Sequence, residues 1–182
     1  MTMKVEADPT TFFADTMRRM ADDGLLLGTV DAEGKPNVMT VGWGTMGSIW
    51  GKPVLLVLVR PSRLSYRNIE ATGEFTLNVP SVDMSSQVLY CGTHSGRDCN
   101  KFEGCGLTAD PGEKVRAPII RECAIHFECV VVHKNDVQPP CLAEDIRSSS
   151  YADREYHRIF WGEIVACRAD IVEKDRVLGP LA

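Results

Sequence analysis

Apolar residues are concentrated in two short runs near the middle of the chain. Residues 53–59 read PVLLVLV, and this continuous Val- and Leu-rich run predicts a strand buried on both faces. Residues 74–80 read EFTLNVP, where apolar and polar residues alternate and predict a second strand. Between them, residues 63–72 predict a short helix that Ser62 caps and Gly73 ends. The order is therefore strand, turn, helix, strand.

The first fifty residues add a helix and two strands. Residues 9–22 place Phe and Met near helical spacing and predict an amphipathic helix. Residues 25–31 and 36–44 predict two strands joined by a hairpin turn at 32–35. Residues 42–51 contain four glycines and two tryptophans, so we expect a Gly-rich loop. Such a loop suits close approach of a flat ligand to the backbone, or equally a Trp packed beneath it.

The second half of the chain also predicts short helices and strands. Residues 81–92 predict a helix, and the apolar run at 124–133 predicts a long strand. The polar stretch 143–153 predicts a loop. Residues 156–175 predict a last strand pair or one bent strand, with Gly162 as a candidate bulge. Six or more short strands with mostly antiparallel connections indicate a mainly β protein with short helices.

We expect these elements to form one small barrel, closed or split. The barrel extends over about residues 25–175 behind the N-terminal helix at about 9–22. A chain of 182 residues suits one domain, so we assign residues 1–182 to a single domain.

Composition and charge narrow the class of protein. A net charge of −5 and a pI near 5.4 argue against nucleic acid as a partner. No apolar run approaches the length that spans a bilayer, and the N-terminus lacks a signal-peptide pattern. We therefore expect a cytoplasmic protein without membrane contact. The seven cysteines form no C-x-x-C pair, and their odd number predicts reduced thiols rather than a disulfide framework.

Two arginines and two serines crowd the start of the helix predicted at 63–72. They are Arg60, Ser62, Arg63 and Ser65. The N-terminus of a helix leaves N–H groups unpaired and carries partial positive charge, so this turn suits a phosphate. The alternative is that both arginines are solvated surface charges and that Ser62 is only a cap.

A second basic turn lies before another short helical segment. Ser95 and Gly96 form the turn, Arg97 follows it, and Lys101 lies on the predicted helix. This arrangement is a second candidate for anion binding.

The cysteines around that turn admit two interpretations. Cys91, His94, Cys99 and Cys105 have the spacing C-x2-H-x4-C-x5-C. This spacing fits no tight tetrahedral pattern, so we predict no metal site. Cys91 or Cys99 would be redox-active if its pKa were lowered by Arg97 and a helix start, although most such thiols are inert.

Three segments together resemble one known family. They are residues 37–44 with 51–80, residues 91–108 (CGTHSGRDCNKFEGCGLT) and residues 157–166 (HRIFWGEIVA). In this order they resemble the flavin reductase-like family, the FMN-binding split β-barrel that includes flavoredoxins, over roughly residues 20–172. The resemblance implies an antiparallel, Greek-key-like barrel that works as a homodimer. It also implies FMN rather than FAD, NAD(P)H as a transient electron donor, and a redox partner protein.

The resemblance also implies positions for the flavin. The residues implied for the ring are Thr40, Val41, Gly42, Trp43 and Gly44. Those implied for the phosphate are Arg60, Ser62, Ser65, Ser95, Gly96, Arg97 and Lys101. Asn78 and Val79 end a strand and are implied for the ribityl chain or the ring. The alternatives are a strand-end turn residue for Asn78 and an exposed charge for Lys101.

His157 is the histidine that the resemblance places near the ring, where a pyridine nucleotide approaches. Here Glu155 and Tyr156 precede it, whereas the reductases often show Gly-Asp. The alternative is a half-exposed His on a strand edge.

Three functions follow from these observations. The first is an FMN-binding oxidoreductase, either an NAD(P)H-dependent flavin reductase or a flavoredoxin-like electron-transfer protein. The second is a flavin-binding electron carrier without NAD(P)H activity, which the residues before His157 favour. The third is a flavin-free split barrel that serves as a binding module.

Overall fold

The computed structural model describes residues 4–170 and shows a mainly antiparallel β protein. Its strands are β1 (Val5–Glu6), β2 (Leu25–Val30), β3 (Pro36–Val41), β4 (Gly44–Ile49), β5 (Lys52–Val59), β6 (Glu74–Val79), β7 (Ala109–Asp110), β8 (Ile119–Ile120), β9 (Ile125–Asp136) and β10 (Arg158–Ala169). Its helices are α1 (Phe13–Asp22), α2 (Leu64–Thr72), α3 (Ser85–Thr93), α4 (Lys101–Cys105) and α5 (Glu144–Ser150). Short 3₁₀ turns cover Pro9–Phe12, Val82–Met84 and Pro139–Cys141.

One sheet holds most of these strands. Its order is β3-β2-β6-β9-β10-β5-β4, and β1 pairs with β10 at the side. Every pairing among the described strands is antiparallel. The sheet curls without a ladder between its two edge strands, although Leu58 N donates to Trp43 O at 3.1 Å beside that opening. The predicted fold class, a split β-barrel with short helices, is confirmed.

The strand–turn–helix–strand unit forms as predicted except at its cap. Gly73 ends α2 with a φ of 70°, a left-handed conformation that glycine adopts without a side-chain clash. The cap residue, however, is Arg63, and no side chain caps the helix. The prediction of Ser62 as the cap is therefore wrong. The backbone N–H of Ser62 instead donates to Glu155 Oε1 at 2.9 Å.

The predicted loop at residues 42–51 is also wrong, because most of it is strand β4. A two-residue turn with positive φ at Trp50 (57°) and Gly51 (71°) folds β4 back onto β5. A Cβ at Gly44 would lie 2.4 Å from Leu56 O, so glycine is needed where β4 starts. Gly44 thus permits close strand packing, which composition alone did not separate from a loop.

Two further predictions concern the C-terminal third. The polar stretch 143–153 contains helix α5, so the loop prediction is wrong there. The bulge at Gly162 is confirmed by a register shift between Trp161 and Gly162 in the β9–β10 pair. The strand predicted over 156–175 is β10, and its last predicted residues, 171–175, lie outside the described part of the chain.

Two apolar clusters decide where the helices lie. The main cluster fills the barrel, with Phe75, Phe127 and Phe160 fully buried. A second cluster joins α3 and α4 to the outer side of β2 and β3, through residues such as Val88 and Phe102. This packing holds the α3–α4 connection beside the start of α2, so the two basic turns meet although about 35 residues separate them.

Candidate functional site

A cleft runs between the end of β3, the start of α2 and the α3–α4 connection. It has two parts, which share Met39, Thr40 and Arg63. We call the part beside the α3–α4 connection the cationic chamber. Its lining includes Asn37, Ser62, Ser65, Cys91, Ser95, Gly96, Arg97 and Lys101. We call the other part the aromatic chamber, and its lining includes Val41, Gly42, Trp43, Leu58, Arg60 and His157.

The α3–α4 connection is tied directly to the start of α2. Arg97 Nη1 donates to Ser62 O at 2.8 Å, and Arg97 N donates to Ser95 Oγ at 3.2 Å. A Cβ at Gly96 would lie 2.0 Å from Asn37 Oδ1, so only glycine fits there without moving a neighbour. These contacts join the two basic turns into one wall of the cationic chamber.

Lys101 is the buried cation of this chamber. Its side chain is 5% exposed, and Nζ donates to Cys91 O at 2.8 Å. Burial lowers the pKa of Lys101, because desolvation disfavours the ammonium form. Within residues 4–170, no carboxylate pairs with Lys101. The exposed-charge alternative for Lys101 therefore does not describe this side chain.

The other two cations of the chamber also lack a carboxylate partner. In the described part of the chain, the guanidinium of Arg63 makes no hydrogen bond or ion pair with another residue, and the guanidinium of Arg97 bonds only to the carbonyl of Ser62. No Asp or Glu lines the chamber. Three positive charges that converge without a carboxylate favour an anionic ligand.

A buried polar group forms the floor of the cationic chamber. Asn37 Nδ2 donates to Ser65 Oγ at 2.9 Å, and Thr29 Oγ1 lies 3.4 Å from the same oxygen. Asn68 Nδ2 donates to Thr29 Oγ1 at 3.2 Å. Sequence reasoning missed Asn37 and did not include Arg63 among the site residues. The available signal for Asn37 was the single amide side chain in a strand whose other residues, apart from Thr40, are apolar.

Trp43 and His157 line the aromatic chamber, and the buried ring of Tyr151 packs beside them. The centroids of Trp43 and His157 lie 4.8 Å apart, and those of Trp43 and Tyr151 lie 6.1 Å apart. His157 Nδ1 and the Tyr151 hydroxyl share a hydrogen bond of 3.0 Å. Trp43 remains 43% exposed, so it presents a flat surface to the cleft. Sequence reasoning missed Tyr151, which follows the unpredicted helix α5.

His157 is uncharged at neutral pH. Burial, and secondarily the positive charge of Arg60, lower its pKa from 6.5 to about 4. It is 9% exposed, so it is not the half-exposed strand-edge residue considered as the alternative. A neutral imidazole can accept or donate a hydrogen bond to a reactant, but it supplies no fixed charge.

Arg60 is paired with carboxylates of its own chain. Its guanidinium contacts Asp153, lies 3.5 Å from Glu155 and donates to Ser150 O at 3.2 Å. It lines the aromatic chamber rather than the cationic one. The structure thus separates Arg60 from the other residues that were predicted to hold a phosphate.

Three predicted site residues lie outside the cleft. Asn78 is fully buried, and its Oδ1 accepts from Ile120 N at 3.1 Å and from His126 Nδ1 at 2.8 Å. Val79 is fully buried in the barrel core, and Gly44 faces Leu56 O rather than either chamber. The remaining predicted residues line one chamber or both.

Comparison with known proteins identifies the family. Residues 17–180 match the model of the flavin reductase like domain. The chain therefore belongs to the flavin reductase-like family. A protein of Archaeoglobus fulgidus, described only as uncharacterized, is 40% identical over 99 residues, which are 54% of this chain and 55% of that relative. This chain thus matches only about half the length of that relative.

Solved structures agree with the fold. Flavoredoxin of Desulfovibrio vulgaris (Miyazaki F) is 29% identical, with a TM-score of 0.67 over 82% of this chain and 70% of that chain. An FMN-binding domain of a flavin reductases-like enzyme from Shewanella baltica OS155 is 20% identical, with a TM-score of 0.66 over 93% of this chain and 78% of that chain. At that identity the second likeness shows the fold alone.

The described residues hold neither a metal-binding cluster nor a membrane-spanning helix. No group of three or more His, Cys, Asp or Glu side chains within residues 4–170 is arranged to hold a metal ion. No helix of that region is long and apolar enough to cross a membrane.

Proposed function

We propose that this protein is a flavin-dependent oxidoreductase that binds FMN along the cleft. The phosphate occupies the cationic chamber, and the isoalloxazine ring lies in the aromatic chamber. The observation that carries the proposal is Lys101, a buried ammonium that faces the cleft without a carboxylate partner among the described residues. A buried charge is expensive to leave unpaired, so its position favours an anionic ligand.

The residues of the cationic chamber fit a phosphate monoester. Lys101, Arg63 and Arg97 supply positive charge, and Ser62 and Ser95 supply hydroxyls. Charge-assisted hydrogen bonds to a phosphate dianion are stronger than those between neutral groups. One compact cluster of cations matches the terminal phosphate of FMN, which supports FMN over FAD.

The aromatic chamber fits a planar ring. The backbone of Thr40, Val41 and Gly42 leads from β3 into the chamber, and Trp43 and His157 form an aromatic wall. Ligand sites of this kind combine apolar surface with a few polar groups that fix orientation. When bound, the flavin supplies the electron transfer itself, and the protein supplies position and electrostatics.

NAD(P)H is the proposed electron donor. His157 is neutral above about pH 4 and lies beside Trp43, so it offers a polar contact without charge to a second planar reactant. Its hydrogen bond to Tyr151 fixes the direction of the imidazole ring. No residue is required to act as a general acid or base in this proposal.

The test is the visible absorption spectrum of the purified protein under anaerobic conditions. We expect a flavin band that bleaches on addition of NADH or NADPH, and chromatography of the heat-released flavin should identify FMN. A protein that stays colourless after incubation with excess FMN would contradict the proposal and favour the flavin-free binding module.

The second candidate is an electron carrier without NAD(P)H activity. The likeness to a flavoredoxin at 29% identity favours it. In this case the flavin band bleaches with dithionite but persists with either pyridine nucleotide. A redox partner protein would then deliver the electrons, and reduction by a cell extract after removal of small molecules would detect it.

We also propose that the protein is a homodimer in the cytoplasm. Trp50, which is 62% exposed, lies against Trp161 and His133 on the outer face of the sheet, an apolar surface suited to a second copy. Light scattering during size-exclusion chromatography tests the dimer, since a mass near 20 kDa contradicts it and a mass near twice that value supports it. Cell fractionation tests the location.

A further inference from the structure

Two thiols lie side by side behind the cationic chamber. Cys91 Sγ, on α3, is 3.9 Å from Cys105 Sγ, on α4. Cys91 is buried and lines the chamber, whereas Cys105 is partly exposed. Within the described residues, neither thiol takes part in a metal-binding group, and the proposed flavin chemistry does not use them.

Close packing of α3 and α4 produces this pair. A Cβ at Gly104 would lie 2.4 Å from the Tyr90 hydroxyl oxygen, so α4 approaches α3 closely only because residue 104 is glycine. A disulfide has an S–S length of about 2.05 Å, so the two sulfurs need to approach each other by about 2 Å. Cys105 lies at the end of α4, a helix of only five residues, so the movement involves a short element.

Cys91 and Cys105 lie on either side of a chain segment that lines the cationic chamber. Cys91 and Cys105 enclose the segment that carries Ser95, Gly96, Arg97 and Lys101. Lys101 is connected to both thiol residues, since its Nζ donates to Cys91 O and its carbonyl accepts from Cys105 Sγ at 2.8 Å. A covalent bond between the two sulfurs would close a loop around the part of the cationic chamber wall that the α3–α4 connection supplies.

We propose that Cys91 and Cys105 are a redox-sensitive pair, which a peroxide oxidises to an intramolecular disulfide that restrains the phosphate-binding wall of the cleft. The restraint on phosphate binding rests on the proposed function, whereas the disulfide itself does not. The pair is thus a modification site that couples oxidant exposure to retention of the ligand.

The reaction balances in two steps. Cys105, the more exposed thiol, attacks the peroxide, so the O–O bond breaks, an alcohol or water leaves, and Cys105 becomes a sulfenic acid. Cys91 then attacks that sulfur, the S–S bond forms, and the hydroxyl group leaves as water with the proton of Cys91. The two thiols lose two electrons together, and the peroxide gains them.

Both groups are protonated thiols at neutral pH. Burial raises the pKa of Cys91 to about 12, and burial also raises the pKa of Cys105. Because the thiolate is the reactive form, the oxidation is slow at neutral pH and accelerates as the pH rises. This slow response distinguishes the pair from the thiols of dedicated peroxidases.

Peptide mapping of the full protein tests the disulfide. The protein is treated with hydrogen peroxide at pH 8.5, its remaining thiols are alkylated under denaturing conditions, and trypsin is added. Cleavage after Arg97 and Lys101 places Cys91, Cys99 and Cys105 in three different peptides, covering residues 68–97, 98–101 and 102–114. Mass spectrometry then identifies any linked pair directly.

We expect a linked species of peptides 68–97 and 102–114 that disappears after reduction. Cys105→Ser should abolish it, while Cys99→Ser, a matched change of a partly exposed thiol in the same loop, should preserve it. Linkage through Cys99 in the wild-type protein, or alkylation of Cys91 and Cys105 as free thiols after full peroxide treatment, would overturn the proposal.

A second measurement tests the coupling to the ligand. The flavin-loaded protein, oxidised or reduced, is diluted into flavin-free buffer, and the fluorescence of released FMN is followed. We expect release to be several-fold slower from the oxidised protein, and equal rates would overturn the coupling. A protein that forms the disulfide but binds no FMN would support the modification site and refute the proposed function.

Discussion

The two chambers of the cleft differ in whether their lysine and arginine side chains pair with carboxylates of the protein. In the cationic chamber, Lys101, Arg63 and Arg97 have no carboxylate partner among residues 4–170. In the aromatic chamber, Arg60 is held by Asp153 and Glu155. Arg63 lines both chambers, so the contrast is between the unpaired cations of the cationic chamber and Arg60, whose charge the protein already neutralises.

Cations that are paired with a carboxylate and cations that are unpaired have different roles, although the sequence does not distinguish them. A paired arginine mainly positions its neighbours; here burial lowers the pKa of His157, and the positive charge of Arg60 lowers it further. An unpaired, buried lysine lowers the stability of the empty protein and strengthens binding of an anion. Substitution and titration can test that contrast, and the largest effect is expected at Lys101.

Lys101→Met should weaken FMN binding most. Loss of a charge-assisted hydrogen bond corresponds to about 1.5–3 kcal/mol, or roughly a ten- to hundred-fold increase in Kd. The thermal stability of the flavin-free protein should stay equal or rise, because an unpaired buried charge is removed. Calorimetry and thermal melts measure both quantities. Lys114→Met, at a side chain that is 56% exposed, serves as the control; equal Kd values for the two variants would contradict the assignment.

Trp43→Ala should weaken FMN binding by about ten-fold, because it removes the aromatic wall of the second chamber. Trp50→Ala is the matched control, since Trp50 is more exposed and lies outside both chambers. Fluorescence titration of the flavin-free variants gives both values. If Trp43→Ala binds FMN as tightly as the wild type does, the ring does not lie in the aromatic chamber.

Arg63→Met and Arg60→Met compare a free with a paired arginine. Arg63→Met should raise the Kd for FMN by about five-fold, which corresponds to about 1 kcal/mol for an exposed cation. Arg60→Met should change that Kd less, but it should raise the pKa of His157, because a nearby positive charge is removed. NMR titration of the imidazole checks the pKa, and the reverse order of the two Kd values would contradict the contrast.

His157 should produce a modest acid sensitivity of stability. Its pKa is lowered from 6.5 to about 4 in the folded protein, so the unfolded chain takes up its proton first as the pH falls. The contribution of His157 to stability is therefore complete above pH 6.5, is lost between pH 6.5 and about 4, and changes no further below that.

Urea unfolding at pH 7 and pH 4.5 measures this effect. His157→Gln should lose less stability between these two pH values than the wild type does. His133→Gln, at an exposed histidine outside the cleft, provides the control. An identical acid loss in the wild type and in His157→Gln would show that the imidazole titrates normally.

Much of the fold followed from local patterns. Gly73 ends α2 as predicted, because the left-handed conformation that stops a helix is a local property of glycine. Gly162 also marks a bulge as predicted, although the space there is limited by Phe75 and Cys129 from other strands. The errors at residues 42–51 and 143–153 have a different origin. Whether Gly-rich or polar segments become strand or helix depends on the partner they pack against, and sequence periodicity does not contain that information.

The residues of the candidate site were likewise predicted only in part. The residues that line the cleft include most of those implied by the family resemblance, from Thr40 to Lys101. Asn78 has a polar side chain of the kind that could contact a flavin. Its amide oxygen, however, accepts hydrogen bonds from Ile120 and His126 inside the barrel. Tyr151 and Asn37 were missed because their roles depend on neighbours distant in the chain.

The amino-acid sequence alone determined the class of fold, the two basic turns and the positions of the glycines that shape them. Only the tertiary structure decided which charges are paired. Arg60 and Arg63 are three residues apart and chemically identical, yet residues about 90 positions later neutralise one and not the other. The physical reason is that propensity and turn chemistry act over a few residues, whereas electrostatic pairing and desolvation depend on distances in space that only the folded chain sets.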